Sequence, residues 1–155
     1  MKMKKILFTT ILLSFGYLLF SSLGQKEVSL ILSHEVNLKK QNLGFYLKND
    51  SGEYYNTFFK LEKELKSKGK ELVFANNGGM YQKDYSPLGL YIENGTEKHK
   101  INKVQEAFGN FYMQPNGVFY ITKDKKGVVC KTTDYIQKNI EYATQSGPML
   151  LIDGA

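Results

Sequence analysis

Apolar side chains fall in short compact runs over most of this sequence and take up a helical spacing once. Val28–Leu32 and Leu43–Leu47 are such runs and read as strands. Asn49-Asp50-Ser51-Gly52 follows them, and Asn, Asp and Gly are the residues that tolerate the positive φ of tight turns. From Asn56 the period lengthens. Phe58, Leu61 and Leu65 share one face, while Lys60, Glu62, Lys63, Glu64, Lys66 and Lys68 point elsewhere, which predicts a helix. Asn56 is the expected N-cap and Gly69 the expected C′ residue, with lysines crowding the last turn where the helix dipole favours cations. The Phe/Leu stripe is expected to pack on a sheet.

Beyond the helix the pattern is again that of strands. Glu71-Leu72-Val73-Phe74-Ala75 reads as a buried strand running into Asn76-Asn77-Gly78-Gly79. Leu88–Glu93 and Thr96–Lys100 flank Asn94-Gly95, the signature of a hairpin with a type I′ turn. Phe111–Met113, Gly117–Thr122 and Val128–Thr132 predict further antiparallel strands, Thr133–Asn139 a short helical turn, and Ala143–Ile152 a final apolar strand. The expected fold is α+β, a mixed and mainly antiparallel sheet with at least one packed helix. Met149-Leu150-Leu151-Ile152 leads into Asp153-Gly154, a strong hairpin signal, yet no return strand follows it. The domain is therefore expected to be incomplete.

The N-terminal residues set a compartment. Met1–Lys5 is basic, and Ile6–Phe20 is apolar apart from Thr9, Thr10, Ser14 and Gly16. Ser22-Leu23-Gly24 then places small residues at the −3 and −1 positions of a signal-peptidase site. An apolar core of about 15 residues is short of the ~20 that span a bilayer. Residues 1–24 are thus expected to be a signal peptide and residues 25–155 the domain, in a periplasmic or secreted protein that meets the membrane only through an uncleaved signal. No cysteine follows the apolar run, so a lipoprotein anchor is excluded.

Composition narrows the chemistry. Hydrophobic residues make up 42% and charged residues 23%, the balance of a core-forming globular chain. All 21 basic residues are lysines, so these residues supply no planar bidentate clamp for a phosphate or carboxylate. Setting aside Lys2, Lys4 and Lys5 leaves 18 lysines against 15 acids, scattered rather than clustered, and no nucleic-acid surface is expected. A single cysteine, Cys130, rules out an internal disulfide and reads as a half-buried strand residue. His34 and His99 stand far apart, which argues against a His-rich metal centre. No ligand spacing argues for Ca²⁺ or Mg²⁺ either, though scattered Asp, Asn and carbonyl oxygens leave the cofactor question open.

Four segments in order carry a resemblance. They are Phe74-Ala75-Asn76-Asn77-Gly78-Gly79-Met80-Tyr81; Ser86-Pro87-Leu88-Gly89-Leu90-Tyr91-Ile92-Glu93-Asn94-Gly95; Gly109-Asn110-Phe111-Tyr112 with Pro115-Asn116-Gly117-Val118-Phe119; and Ala143-Thr144-Gln145-Ser146-Gly147-Pro148-Met149-Leu150. In this order they resemble the phosphodiester glycosidase domain family, closest to its bacterial periplasmic branch, over roughly residues 28–155. The resemblance implies a mixed α/β domain with a sheet core, which continues past Ala155 through Arg-Asn-Gly and Asp-Gly motifs. It also implies hydrolysis of a sugar 1-phosphodiester, with a carbohydrate or sugar-phosphate as partner.

That reaction needs charge stabilisation at the leaving phosphate and a water or carboxylate at the anomeric carbon. Asn77-Gly78-Gly79, after an apolar run, can bring backbone N–H groups close to an anion, with the Asn77 amide for a phosphate oxygen or sugar hydroxyl. Met80 and Tyr81 fit an apolar wall for a sugar ring or ordinary core packing about equally well. Gln145, Ser146 and Gly147 read as ligand-binding donors or turn formers. A nucleophilic Ser146 is poorly supported, since G-x-S-x-G is absent and no histidine lies in these segments. Among carboxylates, Asp153 is the favoured catalytic residue and Asp84 the second candidate, with acid and base roles unassigned, while Glu93 reads as a strand-end charge beside its hairpin turn. Two other readings stay open: a non-catalytic glycan-binding or envelope protein on the same scaffold, and an inactive truncated fragment.

Overall fold

A computed structural model describes residues 32–152. Residues 1–31, which hold the expected signal peptide and nearly all of the Val28–Leu32 run, lie outside them, as does Asp153. The chain divides into Met1–His34 and Glu35–Ala155, and the helix and sheet both belong to the second unit.

One helix and a five-stranded sheet make an α+β fold. Helix α1 spans Phe58–Ser67, and the strands are β1 (Tyr91–Glu93), β2 (Thr96–His99), β3 (Gly117–Thr122), β4 (Gly127–Lys131) and β5 (Ile140–Ser146). The spatial order is β2-β1-β5-β3-β4, with every neighbouring pair antiparallel. Asn94 and Gly95 close the β1–β2 hairpin with φ of 50° and 73°, the two positive values that a type I′ turn demands.

Alternation along the strands divides the sheet into two faces. Ile92, Val118 and Ala143 point to one side and form the core with Leu90 and Ile140, and Ile101, Tyr120, Cys130 and Tyr135 pack around them. Full burial of each of these aliphatic side chains contributes roughly 1.5–3 kcal/mol. On the other side Phe45 meets the rings of Tyr91, Phe119 and Tyr142, at centroid distances of 6.1, 6.2 and 5.4 Å. The Leu43–Leu47 run thus covers the sheet through Phe45. It is not a ladder strand as its sequence predicts, and among the described residues the one bridge beside it joins Lys48 to Tyr54.

Other expectations are corrected too. The helix starts one residue late: Thr57 caps it by accepting from the Lys60 N–H, and Asn56 sits outside at a φ of 57°. Gly69 takes the expected left-handed C′ conformation. Leu61 and Leu65 are buried, but Phe58 is 49% exposed, so the buried stripe is narrower than its spacing predicts. Glu71–Ala75 forms no strand, and Val73 there is 71% exposed. Phe111–Met113 falls instead in and beside a 3₁₀ turn over Asn110–Tyr112 that follows Gly109 at a φ of 115°. The last strand ends at Ser146, because Pro148 has no N–H to donate to a ladder, and Leu150 and Leu151 are exposed rather than in an apolar strand.

Candidate functional site

The site is built around the C-terminal end of β5. Period-two alternation places Gln145 on the core face beside its partner Val118, where it is 1% exposed. An amide there must satisfy itself inside the protein. Its Oε1 accepts from the backbone N–H groups of Leu90 (3.0 Å) and Asn102 (2.9 Å). Its Nε2 donates to the Asn102 carbonyl (2.7 Å) and to Asn116 Oδ1 (2.8 Å), with the Thr132 hydroxyl at 3.3 Å. Gln145 therefore knots four loop and strand ends together, and its polar atoms face the protein.

Buried Asn116 extends the knot. It donates to the Phe111 carbonyl at 2.6 Å and accepts from the Thr132 hydroxyl at 2.7 Å, which fixes the 3₁₀ turn against the end of β3. Two glycines make this closeness possible. A methyl group at Gly89 would sit 2.5 Å from Gln145 Oε1, and one at Gly147 would sit 2.5 Å from the Phe111 carbonyl oxygen and 2.6 Å from Asn116 Nδ2. Gly147 is thus a packing residue, and Ser146 beside it is paired with Gly117 and half-buried. His99 holds the same corner, since its Nδ1 lies 2.9 Å from the Gly89 carbonyl and 3.1 Å from that of Lys100. Two acceptors there require the proton on Nδ1.

A third close approach joins the first sequence motif to the last. A methyl group at Gly79 would collide with Thr144 Oγ1 and lie 3.4 Å from the Gln145 carbonyl. The Asn77-Gly78-Gly79 loop thus docks its backbone on β5. Between this loop and the 3₁₀ turn lies an open cleft of about 410 Å³, walled by Asn77, Gly79, Met80, Tyr81, Phe108 and the Gly109–Tyr112 turn. Its polar groups are the amides of Asn77 and Asn110, the Tyr81 and Tyr112 hydroxyls and main chain, and Tyr81 and Phe108 offer exposed rings. Such a surface suits a ligand with hydroxyls on its edge and an apolar face.

The loop after Tyr81 is braced. Tyr81 bridges Pro87, the Gln82 N–H donates to the Ser86 carbonyl (2.8 Å), and the Leu88 N–H donates to the Met80 carbonyl (3.0 Å). Asp84 Oδ1 accepts from the Ser86 hydroxyl (2.6 Å) and the Ser86 N–H (3.1 Å). Those bonds hold its carboxyl below the usual carboxylate range, so it stands ionised at neutral pH. Asp84 is exposed, braces its loop through Ser86 and is not among the residues that wall the cleft. Glu93 ends β1 beside its hairpin turn, as expected, and accepts from the Tyr91 hydroxyl at 3.0 Å. Burial, with Glu93 adding to it, pushes the Tyr91 phenol far above its ordinary range. Among the described residues no Asp or Glu lines the cleft, and no three His, Cys, Asp or Glu side chains gather into a metal centre.

Comparison with known proteins settles the lineage. Residues 70–155, more than half of the chain, match the phosphodiester glycosidase family. The chain belongs to that family. The matched region of this phosphodiester glycosidase relative holds every element of the cleft and of the Gln145 knot, whereas Phe45 and helix α1 precede it. The chain is 39% identical over 124 residues to the uncharacterised protein YigE of Escherichia coli K12, which covers 80% of this chain and 48% of YigE. It thus spans about half the length of that relative. No solved structure gives a significant match.

The structure brings Asn77, Gly78, Gly79, Gln145, Ser146 and Gly147 to one end of the sheet, and it leaves Asp84 on a neighbouring loop. Sequence reasoning passed over Asn116, Gly89, Phe108 and Asn110. Gly89, Asn110 and Asn116 all lie within the family segments, so the signal for them was present. Phe108 carries no such signal, because an exposed aromatic in a loop has no periodicity.

Proposed function

We propose that the chain forms part of an exported phosphodiester glycosidase, periplasmic or secreted, that hydrolyses the glycosidic bond of a sugar 1-phosphodiester in envelope or extracellular glycan. The observation that carries this reading is the docking of the Asn77-Gly78-Gly79 loop on Thr144 and Gln145, which holds one family segment against another and fixes the loop that walls the cleft. In that cleft the Asn77 and Asn110 amides hold sugar hydroxyls or a phosphate oxygen, and Tyr81 and Phe108 meet the apolar face of the ring. Gly78, exposed and with nothing within 4 Å of where a Cβ would stand, leaves its backbone free to approach the ligand. Ser146 and Gly147 shape the end of β5, Gln145 positions the cleft without touching ligand, and Asp153 is the acid proposed for chemistry. Export through residues 1–24 belongs to the same proposal.

A second reading is favoured by one observation: no carboxylate lines the cleft among the described residues. On that reading the scaffold binds glycan without cleaving it. Release of free sugar from a panel of sugar 1-phosphodiesters decides between them, with this chain and YigE assayed side by side. The enzymatic reading expects release, lost by at least about a hundredfold in Asp153→Asn. Release by YigE alone would locate the chemistry in the part of that relative beyond this chain's match. Release by neither would leave the binding reading.

A further inference from the structure

The cleft does not end at Tyr81. The Tyr85 ring stacks on Tyr81 at 6.1 Å with an interplanar angle of 29°, Tyr54 lies 6.0 Å beyond it, and the Lys48 ammonium sits 4.4 Å over Tyr54. Three tyrosines and a cation form one continuous row leading out of the cleft. Tyr81 is 58% and Tyr85 50% exposed, so the row is a surface and not a core. The patch is made of phenols, each with an apolar face and a polar edge, rather than of aliphatic side chains.

Tyr85 holds its place against its own preference. Its φ is 66°, a left-handed conformation that a bulky aromatic residue rarely adopts. The Tyr85 N–H donates to the Gln82 carbonyl at 2.9 Å, and Asp84 ties the following Ser86 on the other side. Strain of this kind persists where the surroundings over-determine it. Here the result is a ring laid against Tyr81, at the cleft mouth.

We propose that the Tyr54–Tyr85–Tyr81 row is an accessory site for a glycan chain, which takes the sugar units that lie outside the cleft. The proposal rests on the reading of the cleft as a sugar site and deepens it, by making the ligand an oligomeric glycan rather than a lone sugar. Its warrant is continuity: Tyr81 belongs to both surfaces, so the row is in reach of the next unit of a chain with one unit in the cleft. Pyranose rings alternate an apolar C–H face with a hydroxyl edge, the complement of a phenol row. In this arrangement Asp84 is a positioning residue for Tyr85.

The test measures binding separately from hydrolysis. Unbranched hexasaccharides of glucose and of N-acetylglucosamine, and the matching monosaccharides, are titrated into the full chain by calorimetry. At least one hexasaccharide is expected to bind about tenfold or more tightly than its monosaccharide. Tyr85→Gly removes the ring and also relieves the left-handed strain that offsets the lost ring contacts, its folding is checked by thermal unfolding, and it is expected to abolish the chain-length advantage. Tyr85→Phe is expected to keep it. Equal affinity for long and short sugars, or an unchanged advantage in Tyr85→Gly, would overturn the proposal, as would a row that captures only protein. Hexasaccharide binding without sugar release from any phosphodiester would overturn the enzymatic reading and leave this site standing. Sugar release without a chain-length effect would do the reverse.

Discussion

The two family segments that meet where the Gly79 loop docks on β5 are opposites in burial. Asn76-Asn77-Gly78 and Tyr81 lie exposed, while Ala143, Thr144, Gln145 and Gly147 are buried. In the first segment a glycine serves close approach to β5 and the polar side chain beside it looks outward. In the second the polar side chain looks inward and the glycine serves packing against Phe111. An amide in a functional motif is therefore no sign of ligand contact: Asn77 faces the cleft, and Gln145 holds the cleft's walls together.

Replacing each part tests that contrast, and the largest effect falls on the buried side. Gln145→Leu keeps the volume but strands the N–H groups of Leu90 and Asn102 and the Asn102 carbonyl, and is expected to cost about 3–5 kcal/mol in chemical denaturation. A loss below ~1 kcal/mol would end its role as a knot. Gly147→Ala drives a methyl group into the Phe111 carbonyl and the Asn116 amide and is expected to cost about 2–4 kcal/mol by the same measurement. Gly79→Ala is expected to cost roughly 1–2 kcal/mol, with most of that recovered in the Gly79→Ala/Thr144→Ala double variant, because the clash is with Thr144 Oγ1. Additive costs would mean that the loop does not dock there.

The smallest effect is a gain. The Tyr135 hydroxyl is buried without a hydrogen-bond partner among the described residues, and burial pushes its phenol up to about 12, with Glu97 adding to the shift. The folded state therefore favours the neutral phenol. Its contribution is complete below the unfolded value near pH 10 and is lost as pH rises from there towards 12. Tyr135→Phe is expected to leave stability at pH 7 unchanged or raised by up to ~1 kcal/mol, and to flatten the alkaline decline in that window. Thermal unfolding across that pH range reads both.

Local chemistry made part of this legible from residue order. Asn94-Gly95 could only be a tight hairpin turn, Gly69 only a helix end, and the apolar run of β3 agrees with its ladder residue for residue. Leu43–Leu47 looks like a strand because apolar residues that cover a sheet and those that join one have the same composition, and Glu71–Ala75 shows the same run while leaving Val73 exposed. Phe111 reads as strand for the same reason, and only the tertiary demand of the Asn116 amide on its carbonyl shows it to be a turn. The site was half visible. Asn77, Gly79 and Gln145 stand out in the sequence, but the inward direction of Gln145 follows from its alternation with Ala143 in β5, and that depends on knowing where the strand begins.

The sheet order carries a consequence for how this chain comes into being. β5 is the last of the five described strands to be synthesised, yet it lies between β1 and β3 and is the only ladder joining the two hairpins. Until residues 140–146 have emerged, the growing polypeptide can hold two separate hairpins and no common sheet. The union is made by insertion rather than by addition at an edge, and such non-local pairing is slow. The β1–β2 and β3–β4 hairpins thus stay independent of one another until β5 is in place.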